Sequence, residues 1–353
     1  MNADSTPGTP WKKGFEIELL APRGLSRRDL AERIATRVEG HAAPCFYPQS
    51  EPSLVPNLPV FENLILGFDV LDQDGQRVAL LVDDLTIRAD LDRDAAPQPG
   101  WLRILSDDAR LLSLVQHNCS AKAPLDQVLA PLAEMFGAQV EQPDPQVFKV
   151  NDAWGRSIAM ATTLPGERER PCEIITAPIE TDALPVLKAL MEDARALGFT
   201  VPVEAALHVH FDGAALCSAP ALSRLLTALH TYRDQLRQRV QTNPACVRLG
   251  ATSPEIIQLA GSDAFRAADW PQARAMLADL KPTKYCDFNI SNLVYELKHK
   301  HTFEVRIFPG TMDAEEMVSN ASLFERILNW AVEGPEFDPP ERLDAFLDSL
   351  RAA

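Results

Sequence analysis

Four short segments of the chain alternate acidic, histidine or arginine residues with apolar ones. Residues 15–19, 207–211 and 303–307 alternate strictly, and residues 172–174 place one glutamate between apolar neighbours. Because side chains alternate across a β-strand, each segment turns its apolar residues one way and its polar residues the other. If the four strands lie in one sheet, its polar face carries Glu16, Glu18, Glu173, His208, His210, Glu304 and Arg306.

These residue types suit a site for a divalent cation. Two carboxylates about 4 Å apart repel each other by roughly 4 kcal/mol at an effective dielectric constant near 20, so clustered glutamates need a cation to stay ionised together. A set dominated by carboxylates favours Mg²⁺ or Mn²⁺ over zinc, and Mg²⁺ commonly binds together with phosphate. Arg306, on the same face as Glu304, is then placed to bind a phosphoryl group.

A solvated outer face is the alternative for any single strand, because antiparallel sheets commonly expose one face to water. Glutamate is depleted in strands, however, and an ordinary solvated face would mix threonine, lysine and serine. The agreement of four segments therefore favours a metal site over four unrelated solvated faces.

The pattern around these strands predicts an α+β fold. After the first strand, Ser26 is expected to cap a helix that Gly40 ends, and Asp74-Gly75 is expected to turn a hairpin. Prolines at 44, 48, 52, 56 and 59 predict an irregular segment. Further helices are predicted over 182–197, 218–240 and 313–332. Residues 285–297 are expected to pair with residues 302–308 across a solvated turn at 298–301.

Two charged stretches are interpreted as solvated. One is the loop at 166–170, which contains Arg168 and Arg170. The other is the run of aspartates from Asp83 to Asp94, which lacks the spacing and the central glycine of an EF-hand loop.

Composition excludes several classes of protein. The net charge of −16 argues against binding nucleic acid or anionic lipid, and no apolar run approaches the roughly 18 residues of a membrane span. Six widely spaced cysteines predict free thiols in a reducing compartment. The polar N-terminus lacks the apolar stretch of a secretory signal, so we expect a cytoplasmic protein.

The alternating strands also resemble the successive motifs of the putative amidoligase family, whose members are related to glutamine synthetase and glutamate-cysteine ligase. The resemblance rests on residues 14–19, on Asp152 followed by residues 173–178, on residues 207–210 and on residues 303–311. It covers residues 14–40 and about 147–332. It implies a curved antiparallel sheet of glutamine-synthetase-like type with helices on its outer face, two or more Mg²⁺ ions (or Mn²⁺), and ATP bound along the sheet.

The resemblance also implies a role for each matched residue. Glu16 and Glu18 would bind different metal ions, Glu173 would join Glu18, and His208 with Glu304 would complete the site of Glu16. His210 would face the nucleotide phosphates, Arg306 would steady the transferred phosphoryl group, and Asp152 matches an acidic position near the nucleotide. Catalysis would then depend chiefly on Arg306 and Glu304.

The expected activity is ATP-dependent ligation of a carboxylate to an amine through an acyl phosphate. A metal-dependent amide hydrolase that uses the same histidines and glutamates is the runner-up, and a nucleotide-binding protein without turnover is a third alternative. The acid and amine substrates, which include peptides and proteins among the candidates, are not identified by the sequence.

The predicted domains are a flexible tail over 1–13, a catalytic domain formed by 14–40 and 147–334, an inserted accessory region over 41–146, and a C-terminal helix over 335–353. The insertion departs from the family pattern, in which the first helix leads quickly to the Asp152 segment. An open sheet has free edges, which favour self-association into a homo-oligomer.

Overall fold

The computed structural model of the chain describes all residues except 1–10, 52–60, 247, 298–299, 335–337, 339 and 353. Most of the predicted tail, part of the C-terminal segment and part of the predicted turn at 298–301 therefore lie outside the described residues. Twelve β-strands and twelve α-helices occur in the part that is described, and strands paired within either compact unit run antiparallel. The predicted α+β class is confirmed.

The strands are numbered in chain order. They are β1 (Lys13–Leu20), β2 (His41–Glu51), β3 (Phe61–Leu71), β4 (Arg77–Val82), β5 (Leu102–Ser106), β6 (Val140–Asp144), β7 (Val147–Asn151), β8 (Ser157–Thr163), β9 (Pro171–Thr176), β10 (Ala206–Asp212), β11 (Phe288–Asn289) and β12 (Thr302–Pro309).

The α-helices are numbered in the same way. They are α1 (Arg27–Arg37), α2 (Ala109–Asn118), α3 (Ala130–Met135), α4 (Leu184–Ala196), α5 (Ala219–Thr231), α6 (Arg233–Arg239), α7 (Pro254–Ala260), α8 (Asp263–Arg266), α9 (Trp270–Asp279), α10 (Ser291–Val294), α11 (Ala314–Glu333) and α12 (Leu343–Ala352). No helix among the described residues is long and apolar enough to cross a membrane.

The chain divides into two compact units. Unit 1 comprises Met1–Ile17, Pro178–Met191 and Val203–Ala353, and unit 2 comprises Glu18–Ala177 and Glu192–Pro202. Unit 1 contains the strand order β11-β12-β10-β1, and unit 2 contains β9-β4-β3-β5-β8-β7-β6, with β2 paired to β3. The predicted insertion over 41–146 lies wholly within unit 2, and the predicted domain boundaries stay a prediction.

The start of α1 follows directly from local sequence. The Ser26 backbone N–H donates to the carboxylate of Asp29 at 2.8 Å, and the Ser26 hydroxyl accepts a hydrogen bond from the Arg28 N–H at 3.2 Å. This reciprocal capping box satisfies N–H groups that the first helical turn leaves without partners. The predicted cap is confirmed.

In unit 1, the odd-numbered side chains of β1 face helix α11. The Trp11 indole N–H donates to Asn329 Oδ1 at 2.6 Å, and Lys13 forms an ion pair with Glu325. Phe15 and Ile17 continue this face and are fully buried. Because side chains alternate along a strand, the even-numbered Glu16 lies on the opposite face.

In unit 2, a fully buried arginine ties α1 to two other segments. Arg27 donates to the carbonyl oxygens of Leu66, Arg168 and Pro171 at 2.6–3.3 Å, and its guanidinium lies 4.5 Å from the ring centroid of Trp101. Burial lowers the pKa of Arg27 to about 10. Its charge is therefore retained at neutral pH and is stabilised by carbonyl and ring contacts.

The prolines at 44 and 48 do not interrupt regular structure, contrary to the prediction. They lie within β2, opposite Phe68 and Leu64 of β3. Among the described pairings β2 contacts only β3, and a strand with one partner tolerates proline because the missing N–H can face away from the ladder. Prolines 52, 56 and 59 lie outside the described residues.

Two other predicted elements are shorter than expected. Only Phe288–Asn289 of the predicted strand 285–297 pairs with β12, because the Asn289 side-chain oxygen accepts hydrogen bonds from the Ser291 N–H and hydroxyl and turns the chain into α10. The helix predicted over 218–240 is divided into α5 and α6 at Tyr232. The hairpin at Asp74-Gly75 is confirmed as β3–β4, and Gly75 has a φ of +75°.

The prediction that both charged stretches are solvated is wrong in part. Asp90, Asp92 and Asp94 are exposed as predicted, but other members of both stretches are buried. Asp83 is fully buried and its carboxylate is bound on both oxygens by Arg168, while Arg170 is 6% exposed and donates to the Ala21 carbonyl at 3.0 Å. The Asp83–Arg168 ion pair and the hydrogen bond from Arg170 to Ala21 join segments more than 80 residues apart, so the local sequence pattern could not predict their burial. All six cysteines are free, as predicted.

Candidate active site

Three neighbouring strands of unit 1 bring the candidate residues together. In the register of the sheet, Glu16 of β1 lies opposite His208 of β10, and His210 lies opposite Glu304 of β12. The short strand β11 adds Asn289 opposite Glu304. All five residues are at most 6% exposed, so the polar face predicted for these strands is a buried cluster rather than a solvated surface.

Glu16 is contacted by three basic groups. Its Oε2 lies 3.2 Å from Nδ1 of His208, and its Oε1 lies 3.1 Å from Nε2 of His210. The Lys300 ammonium donates to the same Oε1 at 2.6 Å. Both oxygens of this buried carboxylate therefore face positive or imidazole groups.

Glu304 has a similar environment on the other side of the histidines. Its Oε1 accepts a hydrogen bond from Arg306 at 2.6 Å and its Oε2 accepts one from the Asn289 amide at 2.7 Å. Oε1 also lies 3.7 Å from Nδ1 of His208 and 3.7 Å from Nε2 of His210. The two histidines thus stand between the two carboxylates.

Both carboxylates are ionised in this environment. Burial by itself would raise the pKa of Glu16, but the charge of Lys300 and the contacts with His210 and His208 hold it well below its usual value. Burial likewise opposes ionisation of Glu304, whereas His210 and Arg306 bring its pKa to about 2. Lysine and arginine side chains therefore supply positive charge that the sequence argument assigned to a metal alone.

The donor set fits a divalent cation. Ligand atoms of Glu16, His210 and Glu304 all lie within 4.8 Å of one another, close to the spacing of atoms that share one ion with bonds of about 2.0–2.4 Å. His210 Nδ1 is hydrogen-bonded to the Thr302 hydroxyl at 2.9 Å, which fixes the ring. Its buried Nε2 lies 3.1 Å from Glu16 Oε1 and 3.7 Å from Glu304 Oε1, so it points between the carboxylates, as a metal-binding nitrogen would.

His208 is the second nitrogen donor within reach. Burial, and then the charge of Arg306, lowers its pKa, and this outweighs the attraction of Glu16 and Glu304. The ring is therefore neutral at neutral pH, which is the form that binds metals. Both histidines approach Glu16 to similar distances, so the separate roles expected for His208 and His210 stay predictions.

The strand that carries Glu304 and Arg306 is held by a buried acidic residue. The Arg306 N–H donates to the carbonyl of Asp287 at 3.0 Å. The Asp287 carboxylate is bound by Arg233 at 2.7 Å and by Arg237 at 2.8 Å, and it also accepts from the Gly250 N–H at 3.0 Å. These contacts anchor the chain next to the cluster to helix α6.

The remaining predicted site residues belong to unit 2. Glu18 is 4% exposed and continues β1 after Ile17, and the partly buried Glu173 lies opposite Val82 in the β4–β9 pair. Asp152 lies in the turn between β7 and β8, where its carboxylate accepts hydrogen bonds from the backbone N–H groups of Trp154 and Arg156. The metal-binding and nucleotide-binding roles of these three residues stay predictions.

Three residues of the cluster were not predicted as site residues from the sequence: Asn289, Lys300 and Thr302. Lys300 and Thr302 have the same parity as Glu304 and Arg306, so extending the alternation of β12 backward would have found them. Lys300 was instead assigned to a solvated turn over 298–301, and Thr302 began the predicted strand 302–308 without a role in the site. Asn289 had no comparable signal because its strand is only two residues long.

The chain matches the model of a known protein family. The model of the family described as "Putative amidoligase enzyme" matches residues 9–328, which is nearly the whole chain. A search among curated proteins found no match.

Proposed function

The chain belongs to this amidoligase family, and from that premise we propose that it is an ATP-dependent carboxylate-amine ligase. The family description supports an amide-forming ligase. Beyond that description, we propose that ATP drives the reaction and that a metal site in the chain binds the reacting groups. The observation that carries it is the buried convergence of Glu16, His208, His210 and Glu304 beside Arg306 in unit 1.

We assign the metal site to Glu16, His210 and Glu304, with His208 as a further donor. A divalent ion, Mg²⁺ or Mn²⁺, suits a set in which carboxylate oxygens are the charged ligands. When bound, Mg²⁺ and ATP would supply the electrophilic phosphoryl group that activates the acid substrate as an acyl phosphate. Glu18 and Glu173 are proposed ligands of a second ion, and Asp152 is a proposed nucleotide contact.

The protein's own groups would act by position and charge. Arg306 donates to Glu304 through one guanidinium nitrogen, and a guanidinium has five N–H donors, so the same side chain can also hold a phosphoryl oxygen. His210, held by Thr302, would keep its lone pair directed between the carboxylates. Burial of the cluster excludes bulk water, which would otherwise hydrolyse an activated acyl group.

The sheet is proposed to be of the glutamine-synthetase-like type, and the substrates are a carboxylate and an amine, with peptides and proteins among the candidates. The antiparallel strands of unit 1, which place carboxylates from β1 and β12 on either side of β10, support this assignment. Binding of nucleic acid and association with membranes are not proposed. A cytoplasmic location and a homo-oligomer remain proposals from the sequence.

ADP release tests the proposed activity. Purified protein, ATP and MgCl₂ would be incubated with each of the common amino acids or short peptides as acid and with ammonium or a second amino acid as amine. The proposal expects ADP only when acid and amine are both present. Amide cleavage without ATP would favour a hydrolase, and tight ATP binding with no ADP under any pair would favour a protein without turnover.

A further inference from the structure

Unit 2 contains a cavity lined by four arginines. The cavity has a volume of about 290 Å³ and is lined on its charged side by Asp83, Arg88, Arg93, Arg103 and Arg168. Its other wall is apolar and includes Ile65, Leu85, Leu91, Leu164 and Pro165. A small cavity with one apolar wall and a few convergent polar groups is typical of a small-molecule site.

The residues that line the cavity carry more positive than negative charge, because four arginines accompany a single aspartate, Asp83. Arg168 and Asp83 satisfy each other, since Arg168 Nε donates to Asp83 Oδ2 at 3.1 Å and its second nitrogen contacts Oδ1. The same guanidinium donates to the Ile87 and Asp84 carbonyls at 2.7 Å, so it is a fixed part of the wall. Arg93 and Arg103 add further positive charge to the lining of the cavity.

Arg103 gives the strongest indication that the cavity binds a ligand. It lies in the middle of β5, opposite Ile65 of β3 and Thr162 of β8, so both neighbouring strands present it with uncharged residues. Leu102 and Ile104, on either side of it in the chain, belong to the buried core cluster, so Arg103 lies on the other face of the sheet. Its Nε is buried and makes no hydrogen bond to any described residue.

A guanidinium whose buried Nε–H has no acceptor among the described residues is unfavourable. A buried donor that is left unsatisfied costs free energy, and an anion that accepts from it would recover that cost. Arg93 adds a second charged donor: it is exposed, and the backbone at Arg93 lies within 3.0 Å of where a Cβ on Gly166 would be. Gly166 has no side chain, so the loop at Arg93 can pack closely against it. Its φ of +62° also favours glycine at this position.

We propose that this cavity binds a small anion with an apolar body, in which a carboxylate or phosphate group meets Arg103 and Arg93 and the body lies against the leucines. Guanidinium groups bind both kinds of oxyanion through paired N–H donors. The proposal goes beyond the ligase activity and does not depend on it, because none of the lining residues is among the proposed metal ligands or nucleotide contacts.

Calorimetric titration of the full chain tests the proposal. The probes are hexanoate and hexyl phosphate, which separate the two oxyanions, inorganic phosphate, which lacks the apolar body, and hexanol, which lacks the charge. Hexanoate or hexyl phosphate is expected to bind at least tenfold more tightly than inorganic phosphate and hexanol. Failure of both hexyl anions to bind, or binding of hexanol as tight as theirs, would overturn the proposal.

The Arg103→Leu variant identifies the cavity as the place of binding. Loss of a charge-assisted contact is expected to weaken the bound anion about tenfold or more. The matched control is Arg156→Leu, an exposed arginine in the β7–β8 turn of the same unit, which should bind as the unmodified chain does. Equal binding by the Arg103→Leu variant would place the anion elsewhere and contradict the proposal.

A stability measurement distinguishes a role of Arg103 in ligand binding from a role in holding the fold together. Because the buried Nε of Arg103 makes no hydrogen bond to any described residue, Arg103→Leu should unfold at a temperature no lower than the unmodified chain. If Arg103→Leu fails to fold, Arg93→Ala is used for the binding measurement in its place. Arg93 is exposed, so its loss should not disturb the fold, but it removes one donor to the anion. The affinity for the anion is expected to fall about threefold. Unchanged affinity in that variant would overturn the proposal.

Discussion

The Arg306 guanidinium donates a 2.6 Å hydrogen bond to Oε1 of Glu304, which lies two residues earlier on the same face of β12. The same oxygen lies 3.7 Å from each of the two site histidines. One carboxylate thus joins the proposed metal ligands to the proposed phosphoryl-binding arginine. The first prediction concerns this residue.

Glu304→Gln should abolish ATP turnover, with a fall of about a hundredfold or more, and leave the fold intact. Glutamine has the same shape but no charge, so Arg306 and a bound cation would lose their shared partner. Steady-state ADP release would measure turnover, and circular dichroism would check the fold. The exposed Glu255→Gln in α7 is the control. Turnover that is unchanged in Glu304→Gln would remove Glu304 from the chemistry.

Asn289→Ala should weaken binding of Mn²⁺ by about tenfold or more. The Asn289 amide is the group that donates to Glu304 Oε2, and without it this carboxylate can rotate away from the histidines. Titration followed by electron paramagnetic resonance of free Mn²⁺ would give the affinity. Affinity equal to that of the unmodified chain would show that the carboxylate is held well enough by Arg306 alone.

Lys300→Met should bind Mn²⁺ more tightly, by about two- to fivefold. The Lys300 ammonium lies 2.6 Å from Glu16 Oε1, an oxygen of the proposed metal set, so a cation must share or displace it. Lys300 is 41% exposed, and an ion pair with one partner in water is worth only about 0.2–1 kcal/mol, which sets the modest size of the effect. Weaker binding of Mn²⁺ would indicate that the lysine assists the metal site instead.

Asp287→Ala should lower the free energy of unfolding by about 3 kcal/mol, because it leaves Arg233 and Arg237 without the acid that joins them. The two arginines are about one quarter exposed, so water compensates part of the loss. Urea denaturation would measure the change. Asp263→Ala is the matched control, since that aspartate also pairs with an arginine but is 98% exposed; its effect should stay within about 0.5 kcal/mol.

Alternation of side chains was enough to predict the core of the site. Glu16, His208, His210 and Glu304 were found because each strand is long enough for its two faces to be told apart. The same method failed for Asn289, whose strand is two residues long, and for Lys300, which precedes the first residue of β12.

Burial of charge that depends on distant partners could not be predicted from the sequence. Asp83 and Arg168 each lie among charged residues that are typical of solvated loops, yet they pair with each other across 85 residues. The prediction for Pro44 and Pro48 was wrong for a related reason. Proline is compatible with a strand that has a free edge, and the local sequence does not show which strands have one. Such relationships belong to the assembled sheet and leave no local pattern.

The central claim is that Glu16, His210 and Glu304 share a divalent cation. Crystals soaked in MnCl₂ and measured at a wavelength where manganese scatters anomalously would test it most directly. The account predicts an anomalous peak between these three side chains, about 2.0–2.4 Å from their oxygen and nitrogen atoms, that is absent from crystals of Glu304→Gln. Peaks found only elsewhere on the protein, or no peak in this cluster at saturating Mn²⁺, would contradict the account.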